Sequence, residues 1–527
     1  MNFSSVDQII FGVYLIGMMA LGIWISNRHK STNTNDYFLA GKSLPWFIIG
    51  GSLIASNISA EQMIGMAGSG FALGLSIGAY EFMAGATLLV VAKFLMPMFL
   101  KYNIRTMPEF LERRFDGRVR TGLAIFWLLL FVFVNITSLF FLGSLALNSI
   151  IGIPVFVAVI GLAIYSATFS IFGGLRAVVW TDLIQVVVLI FGGTLASIAV
   201  LNALGEGGGT LAGLNNLLER APEKFDMIFT KDVMFTNIET GEQESAYALL
   251  PGLGVLLGGM WIANLYYWGF NQYIVQRALA AKNLKEAQKG VVFAALIKLF
   301  LPFIVVIPGI AAYVLQADIS KADEAFPWVV SNYVGTGIRG IVVAAIVAAI
   351  GSSLSSIVNS ASTIYTLDIH KRIIDPSASE QRLVRIGQIA AAVFLVIGIL
   401  FTPVLQNFDQ IFQYIQKYTG YFSPGILAVF LFGLFWKRTT TAAALTTIFA
   451  SLPLSIFMDQ VFTEMPFLDQ MGYNFLILSA LMVGISIMGQ TDKGLEIERK
   501  MFKTDLTYNF TSLLVIGIIT AIYAAFW

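Results

Sequence analysis

Runs of roughly 20 apolar residues recur along this chain from Ile9 to Phe526, each long enough to cross a hydrocarbon core of ~30 Å. In lipid every backbone N–H and C=O must be satisfied within its own segment, so these runs are expected as helices packed side by side. Composition agrees, with 57% hydrophobic and only 12% charged residues, about half the ~25% charge of a soluble domain. The fold class expected is all-α integral membrane. The first run has no small-residue cleavage site, so it is expected as a retained span rather than a signal peptide.

Several functions are excluded at this point. The chain has no cysteine and only two histidines, His29 and His370, both beside basic residues at expected helix ends. No thiolate or zinc site, and no nucleophile with a His base, can be assembled from that set. A net charge of +1 does not suit a nucleic-acid surface. Ala40-Gly41-Lys42-Ser43 ends like a phosphate loop, but the required first glycine is Asp36. Neither an enzyme nor an ATP-driven pump is expected.

Hydropathy predicts about fourteen spans, near 6–26, 46–72, 77–100, 121–149, 153–172, 178–203, 248–276, 290–315, 334–368, 384–405, 408–436, 440–458, 471–489 and 507–527. Alternate loops, starting after the first span, collect most of the 32 Lys and Arg, among them Arg28, Lys30, Arg113, Arg277, Lys371 and Lys493. By the positive-inside rule those loops are cytoplasmic and both termini extracytoplasmic, as in a multi-pass bacterial inner-membrane protein. The long acidic loop near 204–247 then falls outside.

Function is sought where spans carry polar groups, because these are costly in lipid unless they face a cavity or a partner. The second span contains Gly50-Gly51, then Asn57, Ser59, Glu61 and Gln62; the seventh contains Gly258-Gly259, then Asn264, Tyr266, Tyr267, Trp268, Asn271 and Gln272. Two interrupted spans at matching places in two five-helix blocks point to an inverted repeat with a site at its midplane. Ordinary glycine-mediated packing is the alternative for either span alone. The expected division is an extra N-terminal helix and cytoplasmic loop (1–45), a first repeat (46–203), an extracellular loop (204–247), a second repeat (248–437) and three further helices (438–527).

In the ninth span Ser352, Ser355, Ser356, Asn359 and Thr363 share one helix face. Such a stripe can glue helices together, or supply neutral oxygens to a monovalent cation. Four charges also lie inside spans: Glu81, Asp182, Lys298 and Lys417, the last beside Gln413 and Gln416. Opposite charges with the amides of Gln62, Asn135, Asn264 and Gln416 can ring a neutral polyol, each charge-assisted hydrogen bond contributing ~1.5–3 kcal/mol. A Glu81–Lys298 pair that only fixes packing is the competing account. A channel would need pore-lining polar rings, and these groups cluster at one point instead.

The segments Asp36 to Trp46, Gly50 to Gln62, Phe172 to Asp182, Trp261 to Arg277, Phe293 to Val314, Ala348 to Thr363 and Phe412 to Gln416 resemble the sodium/solute symporters. The resemblance runs through all ten core helices and is nearest to the bacterial sodium/galactose (sodium/glucose) cotransporters. It implies a LeuT-like five-plus-five inverted-repeat fold and sodium-coupled symport of a hexose by alternating access. A symporter of another small solute (polyol, sialic acid or amino acid) is the alternative. Matched by motif, Na+ would be held by backbone carbonyls of Ala55, Ile58 and Ala349 and by the hydroxyls of Ser352 and Ser353, with Asp182 nearby. Sugar contacts would come from Gln62, Glu81, Asn135, Asn264, Lys298 and Gln416, with Asn57 beside them, and gates from Tyr267, Met66, Tyr80 and Trp268. One departure falls three residues after Glu81, where the galactose transporters carry serine and this chain carries Ala84. The partners implied are a sugar, sodium and the lipid bilayer; a homodimer is compatible with the sequence.

Overall fold

The computed structural model describes residues 3–28, 33–59, 61–407, 411–489 and 494–527, apart from the side chains of 172, 406, 407 and 411–414. His29, Lys30, Lys493 and the Gln413 side chain lie outside the described residues. Each expected span coincides with helix, yet eleven helices among the described residues are long and apolar enough to cross a membrane, or twelve with one bent pair. The lower count has physical causes. The second expected span is split, leaving Trp46–Asn57 as a short apolar helix, and Val155–Ile171 is another.

That second short helix runs on into Gly173–Leu204 through Gly174, whose φ of 55° and ψ of −160° only glycine adopts readily. The kink exists because Tyr37 sits in it. Its carbonyl oxygen lies 2.5 Å from where a Cβ at Gly174 would stand, and its hydroxyl donates to the carbonyls of Ser170 and Ile171 at 3.1 and 2.8 Å. The bend turns the chain so that this element can pack along Ile338–Ile364, which is buried over almost its whole length.

The two interrupted helices match, at positions other than the double glycines. Trp46–Asn57 and Gly259–Phe270 are each 12 residues long. Each ends at an extended residue, Ile58 (φ −76°, ψ 103°) and Asn271 (φ −72°, ψ 125°), after which helix resumes at Glu61 and at Gln272. Gly258 instead marks a 74° bend from Ala246–Leu257 into Gly259–Phe270. Gly50 lies inside the first half-helix and serves packing, since a Cβ there would fall 2.7 Å from the Gly290 carbonyl. The seventh span is thus interrupted as expected, but Asn264 lies within its helix and Asn271 is at the break.

The loop after Leu204 is ordered in part. It forms a helix (Gly209–Arg220) and a two-stranded antiparallel hairpin, Met234–Thr236 with Gln243–Ser245. Beside it the short turn Ala322–Glu324 rests on the half-helix after the first break, where Asp323 Oδ1 lies 2.7 Å from a Cβ position on Gly68. Burial, reinforced by the Glu239 carboxylate, pushes the Asp323 carboxyl up to about 7. The folded chain therefore binds this proton more tightly than the unfolded chain, whose carboxyl sits near ~3.9. Stability is expected to fall as pH rises from about 4 through about 7. Thermal unfolding of the detergent-solubilised protein should show a lower Tm at pH 8 than at pH 5.5, and Asp323→Asn should flatten that slope.

Candidate functional site

The first break is built locally. Ser59 and Gln62 form a reciprocal cap, in which the Ser59 N–H and hydroxyl donate to Gln62 Oε1 at 2.9 and 3.0 Å while Ser59 Oγ accepts the Glu61 N–H at 3.0 Å. In a continuous helix the Ala55 carbonyl would accept the Ser59 N–H and the Ile58 carbonyl the Gln62 N–H. Here the first donor goes to Gln62 Oε1 and the second to the Ser59 carbonyl at 3.2 Å. The cap thus takes both carbonyls' helical partners away, in the middle of a buried segment.

Ile338–Ile364 passes beside this break and brings its serine stripe to it. Ser353 donates to the Ser56 carbonyl at 3.1 Å, and the Ser56 and Ser356 hydroxyls are 2.9 Å apart. Ser352 donates to Asp182 Oδ1 at 2.5 Å, and Ser52 to Asp182 Oδ2 at 2.5 Å. Ala55, Ile58, Ala349, Ser352, Ser353 and Asp182 are all buried. A residue the sequence reading left out, Arg277, completes the group, with Nη2 3.9 Å from Asp182 Oδ2 and Nε donating to Ser52 at 3.2 Å. Its signal in the sequence was only a charge at the end of an interrupted span. Among the described residues no three His, Cys, Asp or Glu side chains gather as a metal site. Serine hydroxyls and one carboxylate thus gather beside the break, hard oxygen groups unlike the nitrogen and sulfur ligands that zinc favours.

On the other side of the break lies a cavity of about 810 Å³, counted out to its mouth. Asn57, Gln62, Glu81, Asn135, Asn264, Lys298 and Gln416 all line it, as do Met66, Tyr80, Tyr267 and Trp268. Lys298, wholly buried, binds both Glu81 Oε2 and Asn57 Oδ1, and its ammonium lies 5.1 Å from the centre of the Trp268 ring. Asn57 passes the chain on by donating to the Tyr267 hydroxyl at 3.0 Å, which also accepts from Tyr273 at 2.5 Å. The Tyr267 ring stands edge-on to Trp268 and Tyr273, with centroids 5.2 and 5.7 Å away, so its position is set by two aromatic neighbours. Asn264 donates to the Met260 carbonyl at 3.1 Å, and the buried Asn135 Oδ1 has no protein partner among the described residues.

Ala84 is also in the cavity wall, so the one departure from the family pattern falls inside the site. Lys417 is not in the wall; its ammonium pairs with Asp459 at 2.9 Å and its side chain is 43% exposed. Glu61, Asn271, Thr419, Ser423 and Met471 line the cavity without having been singled out as site residues. Met471 comes from Phe467–Met488, one of the C-terminal helices in which the sequence shows no chemistry.

The comparisons agree with this geometry. The chain matches the family model of the sodium:solute symporter family over residues 37–450. It is 45% identical to a sodium/glucose cotransporter of Vibrio parahaemolyticus, covering 99% of this chain and 98% of that one. It is 33% identical to the human sodium/myo-inositol cotransporter 2, covering 85% of this chain and 69% of that protein. In fold it is similar to a Na+-coupled sialic acid symporter in a substrate-bound outward-open state, with a TM-score of 0.81 at 22% identity, over 94% of this chain and 100% of the other. A nucleobase-cation-symport-1 family transporter follows, with a TM-score of 0.52 at 15% identity, over 88% of this chain and 97% of the other. A membrane-spanning helical body, paired interrupted helices, serine hydroxyls and a buried carboxylate beside one break, and a match over most of the length lead to one conclusion: the chain belongs to the sodium:solute symporter family.

Proposed function

We propose that the protein carries a hexose, glucose or galactose, into the cell together with sodium. The observation that supports this most is the buried Lys298–Glu81–Asn57 set in the wall of a cavity between two interrupted helices. A neutral polyol needs donors and acceptors close together, and this set offers both. A carboxylated solute would meet the Glu81 charge. Sugar hydroxyls bond to Gln62, Glu81, Asn135, Asn264, Lys298 and Gln416, with Asn57 orienting Lys298. Tyr267 covers the apolar face of the ring, and Met66, Tyr80 and Trp268 complete the closures.

In this reading Na+ sits between the freed carbonyls of Ala55 and Ile58, the Ala349 carbonyl and the hydroxyls of Ser352 and Ser353, with Asp182 as the charge behind them. The ion links the broken helix to Ile338–Ile364 and so shapes one wall of the sugar cavity. Coupling follows if both ligands favour the same closed state, by ~1–3 kcal/mol of mutual stabilisation. The basic ends of the spans face the cytoplasm and both termini face outward, so inward sodium movement runs with the membrane potential. A cyclic polyol is the second candidate substrate, favoured by Ala84 in the wall and by the name of the myo-inositol relatives.

The test is uptake of radiolabelled glucose, galactose and myo-inositol into proteoliposomes, with and without an inward sodium gradient. Sodium-stimulated hexose uptake that falls at least tenfold in Gln416→Ala is the expected result. Stimulated uptake of myo-inositol alone would transfer the site to the polyol, and stimulation of none of the three would overturn the substrate class.

A further inference from the structure

A second cavity, of about 750 Å³ counted to its mouth, runs along the Leu284–Lys298 helix from Lys285 to Leu296. Its wall is divided by chemistry. Lys285 and Lys289 stand one helical turn apart at one end, and Val292, Phe293 and Leu296 continue the same face toward the membrane interior. Trp46 and Tyr508 close the sides, with Tyr508 and Thr511 contributed by the last helix, Leu506–Ala525.

Several polar groups in this wall are already engaged. Tyr508 donates to the Leu89 carbonyl at 2.7 Å, Gln288 to the Ala92 carbonyl at 3.0 Å, and Thr511 to the Thr507 carbonyl at 2.8 Å. Asp505, the one carboxylate in the wall, accepts the Tyr508 N–H at 2.9 Å and so caps the last helix. Trp46 stands edge-on to Phe293 at 5.2 Å, which fixes the indole against the groove. Lys285 and Lys289 have no ion-pair or hydrogen-bond partner among the described residues. Like charges at this spacing repel. Without an ion-pair partner among the described residues, and with Asp505 as the one carboxylate in the wall, they form an anion site with a hydrocarbon slot attached.

We propose that this groove binds one anionic phospholipid. The phosphodiester lies between Lys285 and Lys289, and an acyl chain runs along Val292, Phe293 and Leu296 beneath the last helix. A free anion would use the lysines and leave the slot empty, whereas a zwitterionic lipid would fill the slot and gain little from the lysines. Basic grooves between helices at the cytoplasmic surface meet anionic lipid in this way, each lysine adding about 1 kcal/mol. The lipid bridges the transport core to the C-terminal helix, which is otherwise mostly exposed to the membrane.

Native mass spectrometry of the full-length protein in detergent, titrated with phosphatidylglycerol or phosphatidylcholine, tests this directly. The wild-type chain should retain one phosphatidylglycerol that Lys285→Gln/Lys289→Gln retains about thirtyfold more weakly, the factor corresponding to two such lysines. Thr511→Trp, which fills the slot and leaves both lysines, should weaken retention as well, and inorganic phosphate should not displace the lipid. Unfolding temperatures of both variants without added lipid should match wild type, so that a loss of binding is not a loss of fold. Unchanged phosphatidylglycerol retention in either variant, equal retention of phosphatidylcholine, or displacement by phosphate would overturn the proposal.

Discussion

Replacing Lys298 with Met is expected to abolish hexose uptake and to cost several kcal/mol of stability, and neutralising Glu81 as well is expected to restore only the stability. Lys298 is wholly buried and its ammonium touches both Glu81 and Asn57. Removing one member of a buried ion pair leaves the other charge without water or partner, which costs ~3–5 kcal/mol. Removing both charges together, in Glu81→Gln/Lys298→Met, avoids that penalty, because a neutral pair of similar volume is often as stable as the ionic one. Two measurements separate the accounts: thermal unfolding in detergent, and sodium-driven uptake in proteoliposomes. A double variant that recovers its Tm but not its uptake places the pair in the sugar site. Recovery of both would reduce the pair to a packing device and remove the strongest support for the proposed substrate class.

The second large effect is expected in the sodium response. Ser353→Ala removes a hydroxyl that stands against the Ser56 carbonyl, beside the break where the helical partners of Ala55 and Ile58 are lost. A hydrogen-bonding or ligating contact to a charged group contributes ~1.5–3 kcal/mol. The sodium concentration for half-maximal uptake should therefore rise roughly ten- to a hundredfold. Linkage requires that sugar affinity at low sodium fall with it, while uptake at saturating sodium is largely kept. Ser362→Ala is the matched control, since that hydroxyl donates to the Asn359 carbonyl one turn back on its own helix. Equal shifts in the two variants would mean that the Ser353 hydroxyl serves the helix and not an ion.

What the sequence determined by itself are properties that add up locally. Apolar runs locate the membrane helices within a few residues, because the cost of a charge in lipid is paid position by position. That the second span is interrupted was legible in its small and polar residues; that the break falls after Asn57, where Ser59 and Gln62 cap the next helix, was shown by the structure. Motif resemblance then marked every residue expected to touch the sugar or gate it, and all of them line one cavity.

Helix orientation and distant partners were decided only by the tertiary structure. The seventh span bends by 74° at its double glycine and breaks again at Asn271, a second interruption that composition does not mark. Asp182 meets Arg277, Lys417 meets Asp459, and Arg120 meets Asp368 at 2.6 Å, pairs that no spacing rule links. Glu61 and Met471 enter the cavity for the same reason. Hydropathy sums along the chain and says which segments enter the membrane. Which polar groups face each other inside it depends on the rotation of each helix about its axis, and that is settled by packing among all of them at once.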